Sequence, residues 1–155
     1  VTARSTLIPV GEPAPDFTAP LSDGGTIALA GFRAHKRVVL VFYPGDNTPG
    51  CTAQLCALRD DWSRIAGATA AVYGVNPAGA DRHARFADRY HLPFPLIVDA
   101  HGEIAAAYGC RALFGIVRRT VYIVDGQGLI GFAQRGAPSP DVLLQTLHGL
   151  RDGLK

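Results

Sequence analysis

"VVLVFYPGDNTPGCTAQLC", residues 38–56, passes from an apolar run into turn-forming residues and then into a helical pattern carrying two cysteines. The apolar part reads as a buried strand, and its abrupt end at Pro44 marks a strand-to-helix junction. Thr48 stands where a helix N-cap belongs, Pro49 suits the first helical position, and Cys51 then falls in the first turn. Unpaired backbone N–H groups and the helix dipole favour an anion there, so a cysteine at this place gains thiolate character. The plainer alternative is that Cys51 is a small hydrophobe filling a gap.

Outward from this junction, apolar and amphipathic stretches alternate. Leu55, Leu58, Trp62 and Ile65 recur at spacings of three and four, predicting one helix from Cys51 to Ala66, with Trp62 in the core. "TAAVYGV" (69–75) predicts a strand, 78–91 a helix, and "FPLIVD" after Pro93 and Pro95 another strand. A short helix is expected from Glu103 to Tyr108. "RTVYIVDGQGLIGFAQR" (119–135) predicts a hairpin, and "SPDVLLQTLHGLRDG" (139–153) a terminal helix with Ser139 as cap. This order predicts an α/β sandwich with a mixed sheet.

The 155 residues, 48% of them hydrophobic, suffice for one core, so a single domain over 1–155 is expected. Fifteen Lys plus Arg and thirteen Asp plus Glu are spread along the chain for a formal charge of +2, which argues against nucleic acid as a partner. Val38 to Tyr43, the longest apolar stretch, falls far short of the ~20 residues needed to cross a bilayer, so no membrane span is expected. "VTARSTLIPVGEP" lacks the apolar core and cleavage site of a secretory signal. Three cysteines, an odd number, give no disulfide framework and point to a reducing, cytoplasmic setting.

Several motifs compete for the junction. "GDNTPGCT" (45–52) has the glycine spacing of a phosphate-binding loop, but Cys51 replaces the lysine that would reach the phosphates. A cysteine phosphatase needs an arginine to close its cradle, and "TAQLCA" after Cys51 holds none. Cys51 and Cys56 are five apart, not spaced as Cys-x-x-Cys. On an ideal helix that spacing separates their Cα atoms by roughly 8 to 9 Å and puts them on different faces. A disulfide needs less than ~7 Å, so a bond between them requires the first turns to unwind. That reading stands beside the simpler one, in which Cys56 is only packed in the helix.

"FYPGDNTPGCTAQLCALRD" (42–60) resembles the active-site segment of the peroxiredoxins, whose Pro-x-x-x-Thr-x-x-Cys pattern is met by Pro44, Thr48 and Cys51. Cys56, five positions on, resembles the second cysteine of the peroxiredoxin Q, or bacterioferritin comigratory protein, subgroup. "GEPAPDFTAPLSDG" (11–24) is similar to the family's N-terminal hairpin, and "RTVYIVDGQG" (119–128) to the strand that carries its active-site arginine, here Arg119.

The resemblance implies a thioredoxin-like fold and thiol-dependent reduction of hydrogen peroxide and organic hydroperoxides without metal, haem or flavin. Cys51 would be the peroxidatic nucleophile and Cys56 the resolving thiol. Thr48, Arg119 and the Cys51 amide would stabilise the departing oxygen, and Pro44 would shield the sulfur. Thioredoxin or a glutaredoxin-like dithiol would recycle the disulfide, and the subgroup implies a monomer.

Arg118 is the rival of Arg119, and Gln54 a candidate support. Gly45 departs from the lysine that many members carry, which alters the local charge. Cys110 is either an inert thiol or a second resolving candidate. His35, His83, His91, His101 and His148 lack metal-ligand spacing and are expected at the surface. Two functions of other kinds compete with the peroxidase: a redox sensor or binding module switched by Cys51 oxidation, and a dithiol–disulfide exchange protein.

Overall fold

The structure, a computed structural model, describes residues 3–154. Val1, Thr2 and Lys155, the ends of the expected domain 1–155, lie outside the described residues. Its elements in chain order are β1 (Thr18–Pro20), β2 (Thr26–Ala28), β3 (Arg37–Phe42), α1 (Pro49–Asp60), α2 (Trp62–Gly67), β4 (Ala70–Asn76), α3 (Ala80–Arg89), β5 (Leu96–Val98), α4 (Glu103–Ala107), β6 (Thr120–Val124), β7 (Ile130–Arg135) and α5 (Pro140–Gly149). Two 3-10 turns complete them, at Leu29–Phe32 and Leu113–Gly115.

Five strands form one mixed sheet in the order β5-β4-β3-β6-β7. β4 is parallel to both β3 and β5, whereas β6 runs antiparallel to β3 and β7. β1 and β2 pair as the small separate hairpin. β3 is central because its β-branched and aromatic residues tolerate burial on both faces: every residue of it is buried. Val38, Leu40 and Phe42 enter one apolar cluster, with Tyr108 and Tyr122; Val39 and Val41 enter the other, with Leu55, Phe86 and Leu147. Burial of each such side chain contributes about 1.5–3 kcal/mol.

The parallel step from β3 to β4 requires a crossover, which α1 and α2 supply. The single helix expected over 51–66 is two: at Asp61 the backbone turns to φ −102°, ψ 17° and a new helix starts at Trp62. Trp62 is half-buried rather than in the core, its ring 5.8 Å from that of Phe94. The hairpin expected over 119–135 is β6–β7, with a register shift at Ile123/Val124. Ser139 caps α5 as expected, its hydroxyl oxygen accepting from the Val142 amide at 3.3 Å.

The two ends of β3 are pinned differently. At its start Arg37 forms a buried bidentate pair with Asp152, at 2.9 and 2.7 Å, and also donates to the carbonyls of Ala68 and Leu154. Just past its end Tyr43 is fully buried against β4, where a Cβ on Gly74 would come within 3.0 Å of the Tyr43 ring and 2.7 Å of Leu96. Any side chain at 74 would force Leu96 and the Tyr43 ring to shift.

Candidate active site

The register of the sheet assembles the site. Phe42 lies opposite Thr120 across the antiparallel β3–β6 pair, so the residue before β6 stands beside the chain leaving β3. That residue is Arg119. Its Nη2 donates to Cys51 Sγ at 3.2 Å and its Nη1 to Gln54 Oε1 at 2.8 Å. Cys51 is fully buried in the first turn of α1, and Gln54, one turn on, is 8% exposed. The guanidinium therefore faces the sulfur with its orientation set by the same helix. Arg118 is exposed, and its backbone N–H serves the Cys110 carbonyl, so the sequence rival does not reach the sulfur.

Gly50 leaves room for this approach: a Cβ there would stand 3.2 Å from Arg119 Nη2. Gln54 Nε2 is buried with no hydrogen-bond partner among the described residues. A buried donor in that condition gains when an acceptor oxygen arrives.

Thr48 occupies the N-cap position, but its side chain does not cap α1. The hydroxyl donates instead to the Gly45 carbonyl at 3.1 Å, closing the turn in which Asn47 takes a left-handed φ of 62°. Pro44 and Thr48 are both exposed at the rim. Cys56 lies half-buried within the continuous helix α1, and all three cysteines are free thiols.

Cys110 is buried after α4, with Tyr108 O 3.4 Å and Arg135 Nη1 3.9 Å from its sulfur. Burial pushes its thiol up to about 11, against the opposing pull of Thr120 and Arg135. No group of three or more His, Cys, Asp or Glu among the described residues could hold a metal ion.

The expectation for the histidines is overturned at one position. His35, His91, His101 and His148 are exposed, but His83 is completely buried on α3, because it shares the inward face of that helix with Phe86. Its Nδ1 lies 2.7 Å from Asp46 Oδ2 and its Nε2 3.0 Å from the Asn76 carbonyl oxygen. Tyr43 donates its hydroxyl to Asp46 Oδ1 at 2.5 Å, and Asn76 Nδ2 donates to the Tyr43 carbonyl at 2.8 Å. Burial, then the Asp46 charge, holds the Tyr43 hydroxyl protonated far above the ordinary phenol range. None of these four residues stood out in the sequence as part of a site.

Residues 10–133 match the AhpC/TSA family. The chain belongs to that family. It is a thiol-dependent peroxidase, a peroxiredoxin. Among curated relatives, the putative peroxiredoxin Bcp of Coxiella burnetii is 36% identical over 130 residues, covering 79% of this chain and 85% of that one. Peroxiredoxin Bcp of Bacillus subtilis is 32% identical over 152 residues, covering 94% and 96%. Chloroplastic peroxiredoxin Q of Triticum aestivum is 38% identical, and its match spans 84% of this chain but 61% of the longer plant protein.

Among solved structures, peroxidoxin BcpB from Mycobacterium tuberculosis superposes with a TM-score of 0.84 at 31% identity, covering 92% of this chain and 97% of that one. The fold of this peroxiredoxin is accordingly the thioredoxin-like one. No helix among its described residues is long and apolar enough to cross a membrane.

Proposed function

We propose that Cys51 is the peroxidatic nucleophile of this peroxiredoxin and Cys56 its resolving thiol. The observation that carries the first assignment is the 3.2 Å approach of Arg119 Nη2 to Cys51 Sγ. A cation there stabilises the thiolate before reaction and the charge that spreads over the peroxide oxygens during it. The thiolate attacks one oxygen of hydrogen peroxide or an organic hydroperoxide. A sulfur–oxygen bond forms, the oxygen–oxygen bond breaks, and the leaving oxygen takes a proton to depart as water or an alcohol. Gln54 fixes Arg119 for this step, the exposed Thr48 hydroxyl offers a further hydrogen bond at the rim, and Pro44 screens the sulfur from bulk water.

Cys56 then attacks the sulfenic sulfur, releasing water and closing a disulfide, and a dithiol such as thioredoxin or a glutaredoxin-like protein restores both thiols by exchange. The continuity of α1 across both cysteines supports a reaction in two forms, folded for peroxide and opened for resolution. One mixed sheet shared by residues from Arg37 to Arg135 supports a single domain over 1–155. We assign the working state as a monomer, following the subgroup, in a cytoplasmic setting, following the odd cysteine count.

Peptide mass mapping of the reduced protein after one equivalent of hydrogen peroxide, with a thiol-blocking quench, tests the scheme. A Cys51–Cys56 disulfide with Cys110 blocked as a free thiol is expected. Lasting sulfenic acid or a bond to Cys110 overturns the resolving assignment, and an unmodified Cys51 overturns the peroxidatic one.

A further inference from the structure

The peroxide step makes no use of the buried cluster of Tyr43, Asp46, Asn76 and His83. Both ring nitrogens of His83 face oxygen acceptors, Asp46 Oδ2 at 2.7 Å and the Asn76 carbonyl at 3.0 Å. Two protons satisfy this geometry: one on Nε2 toward Asn76, and one between Nδ1 and the carboxylate. Asp46 thus receives a donor on each oxygen, from Tyr43 and from His83, and is 2% exposed. A carboxyl group goes into so dry a place only when its hydrogen bonds are complete.

The position of Asp46 gives the pair its meaning. Residues 44–50 join β3 to the first turn of α1, belong to no strand, and are exposed or half-exposed except for Asp46. The Thr48 hydroxyl bonds only within this segment, to the Gly45 carbonyl. Among the described residues, the Asp46–His83 bond is the one side-chain hydrogen bond that ties 44–50 to an element other than the adjoining end of β3. Its other end is on α3, in the body of the fold.

We propose that His83 is a positioning residue that latches the peroxidatic loop through Asp46, and that the strength of this latch sets how often the first turns of α1 open. The part of the proposal that concerns Cys56 rests on the resolving role assigned above; the latch itself is a property of the reduced protein. Oxidised Cys51 has two fates. Attack by the Cys56 thiol expels water and forms the disulfide, whereas a second hydroperoxide adds an oxygen to give sulfinic acid and is itself reduced to an alcohol or water. The first fate needs the loop open and the second needs it closed. A firm latch therefore favours reaction with peroxide at the cost of overoxidation, and a weak one favours resolution.

Amide hydrogen exchange of Thr52, Ala53 and Gln54 in the reduced protein reads the opening directly. His83→Gln is expected to speed exchange there by about tenfold or more. Asp46→Asn, which keeps a neutral hydrogen bond to the ring, is expected to speed it by only about threefold. Asp152→Asn breaks the other buried pair, at the far end of β3, and serves as the control for general destabilisation. It should lower the melting temperature and leave these amides within about twofold of the parent.

Equal acceleration by Asp152→Asn, or no acceleration by His83→Gln, overturns the latch. After a peroxide pulse, the ratio of disulfide to sulfinic acid should rise in the same rank order, highest in His83→Gln. If the parent protein closes no Cys51–Cys56 disulfide, the resolving assignment falls, and the exchange result still decides the latch.

Discussion

Arg119 reaches Cys51 Sγ with one guanidinium nitrogen at 3.2 Å while Gln54, one turn further along the same helix, holds its other nitrogen at 2.8 Å. The guanidinium and the sulfur proposed as nucleophile thus share a scaffold. Removing the cation by Arg119→Ala should slow oxidation of Cys51 by about 100-fold, the usual cost of losing a preorganised donor. Gln54→Ala, which frees the cation without removing it, should slow oxidation by about tenfold. Stopped-flow measurement of Cys51 oxidation against peroxide concentration checks both, and an unchanged rate in Arg119→Ala would remove Arg119 from the mechanism.

Gly50 supplies a case in which stability and rate should part company. An alanine Cβ there would lie 3.2 Å from Arg119 Nη2, so the guanidinium must shift by a few tenths of an ångström. Alanine is also the better helix former, by up to about 1 kcal/mol. Gly50→Ala should therefore melt at or above the parent temperature yet oxidise several-fold more slowly.

The three cysteines should separate by chemistry. Cys56→Ser should stop at sulfenic acid on Cys51 and fail to cycle with a thioredoxin system, whereas Cys110→Ser should cycle as the parent does. Burial holds the Cys110 thiol at about 11, so little thiolate exists near neutral pH. Timed alkylation of the folded, reduced protein at pH 8, followed by peptide mapping, should label the half-buried Cys56 well before Cys110.

A pH dependence follows from Asp152. Burial alone would raise its carboxyl, but the Arg37 guanidinium and the Gly126 and Leu154 amides bring it down from 3.8 to about 2. A group with a depressed native value contributes stability above its unfolded value, and that contribution disappears as the pH falls through the native one. The contribution is about 2 kcal/mol at neutral pH. The stability difference between the parent and Asp152→Asn should be full above pH 5 and shrink toward pH 2, as measured by urea unfolding at each pH.

How far the sequence alone could go is clear from particular residues. The strand-to-helix junction was legible because its signals are local: a β-branched run, a proline at the first helical position and a cysteine in the turn. The resemblance pointed to Arg119 rather than Arg118, and the sheet register brings Arg119 beside the end of β3. The break at Asp61 left no trace, because Leu55, Leu58, Trp62 and Ile65 keep helical spacing across it with no glycine or proline to mark it. His83 carried a partial signal, sharing a spacing of three with the buried Phe86. Its partner Asp46 is 37 residues away, and only the tertiary fold joins them.

The break at Asp61 also bounds any rearrangement of α1. Fraying that starts at Pro49 meets a discontinuity in the hydrogen-bond ladder before Trp62, and beyond it α2 is moored to α5 by Arg64 and Asp141 at 3.2 Å. Asp61 acts as a firebreak. On the proposed resolving scheme, the segment to be rewound after each cycle is then at most the twelve residues of α1, and helix growth takes about nanoseconds per residue. On that scheme, recoiling after the reductant has restored both thiols is over long before the next peroxide arrives by diffusion, so the site meets it already rearmed.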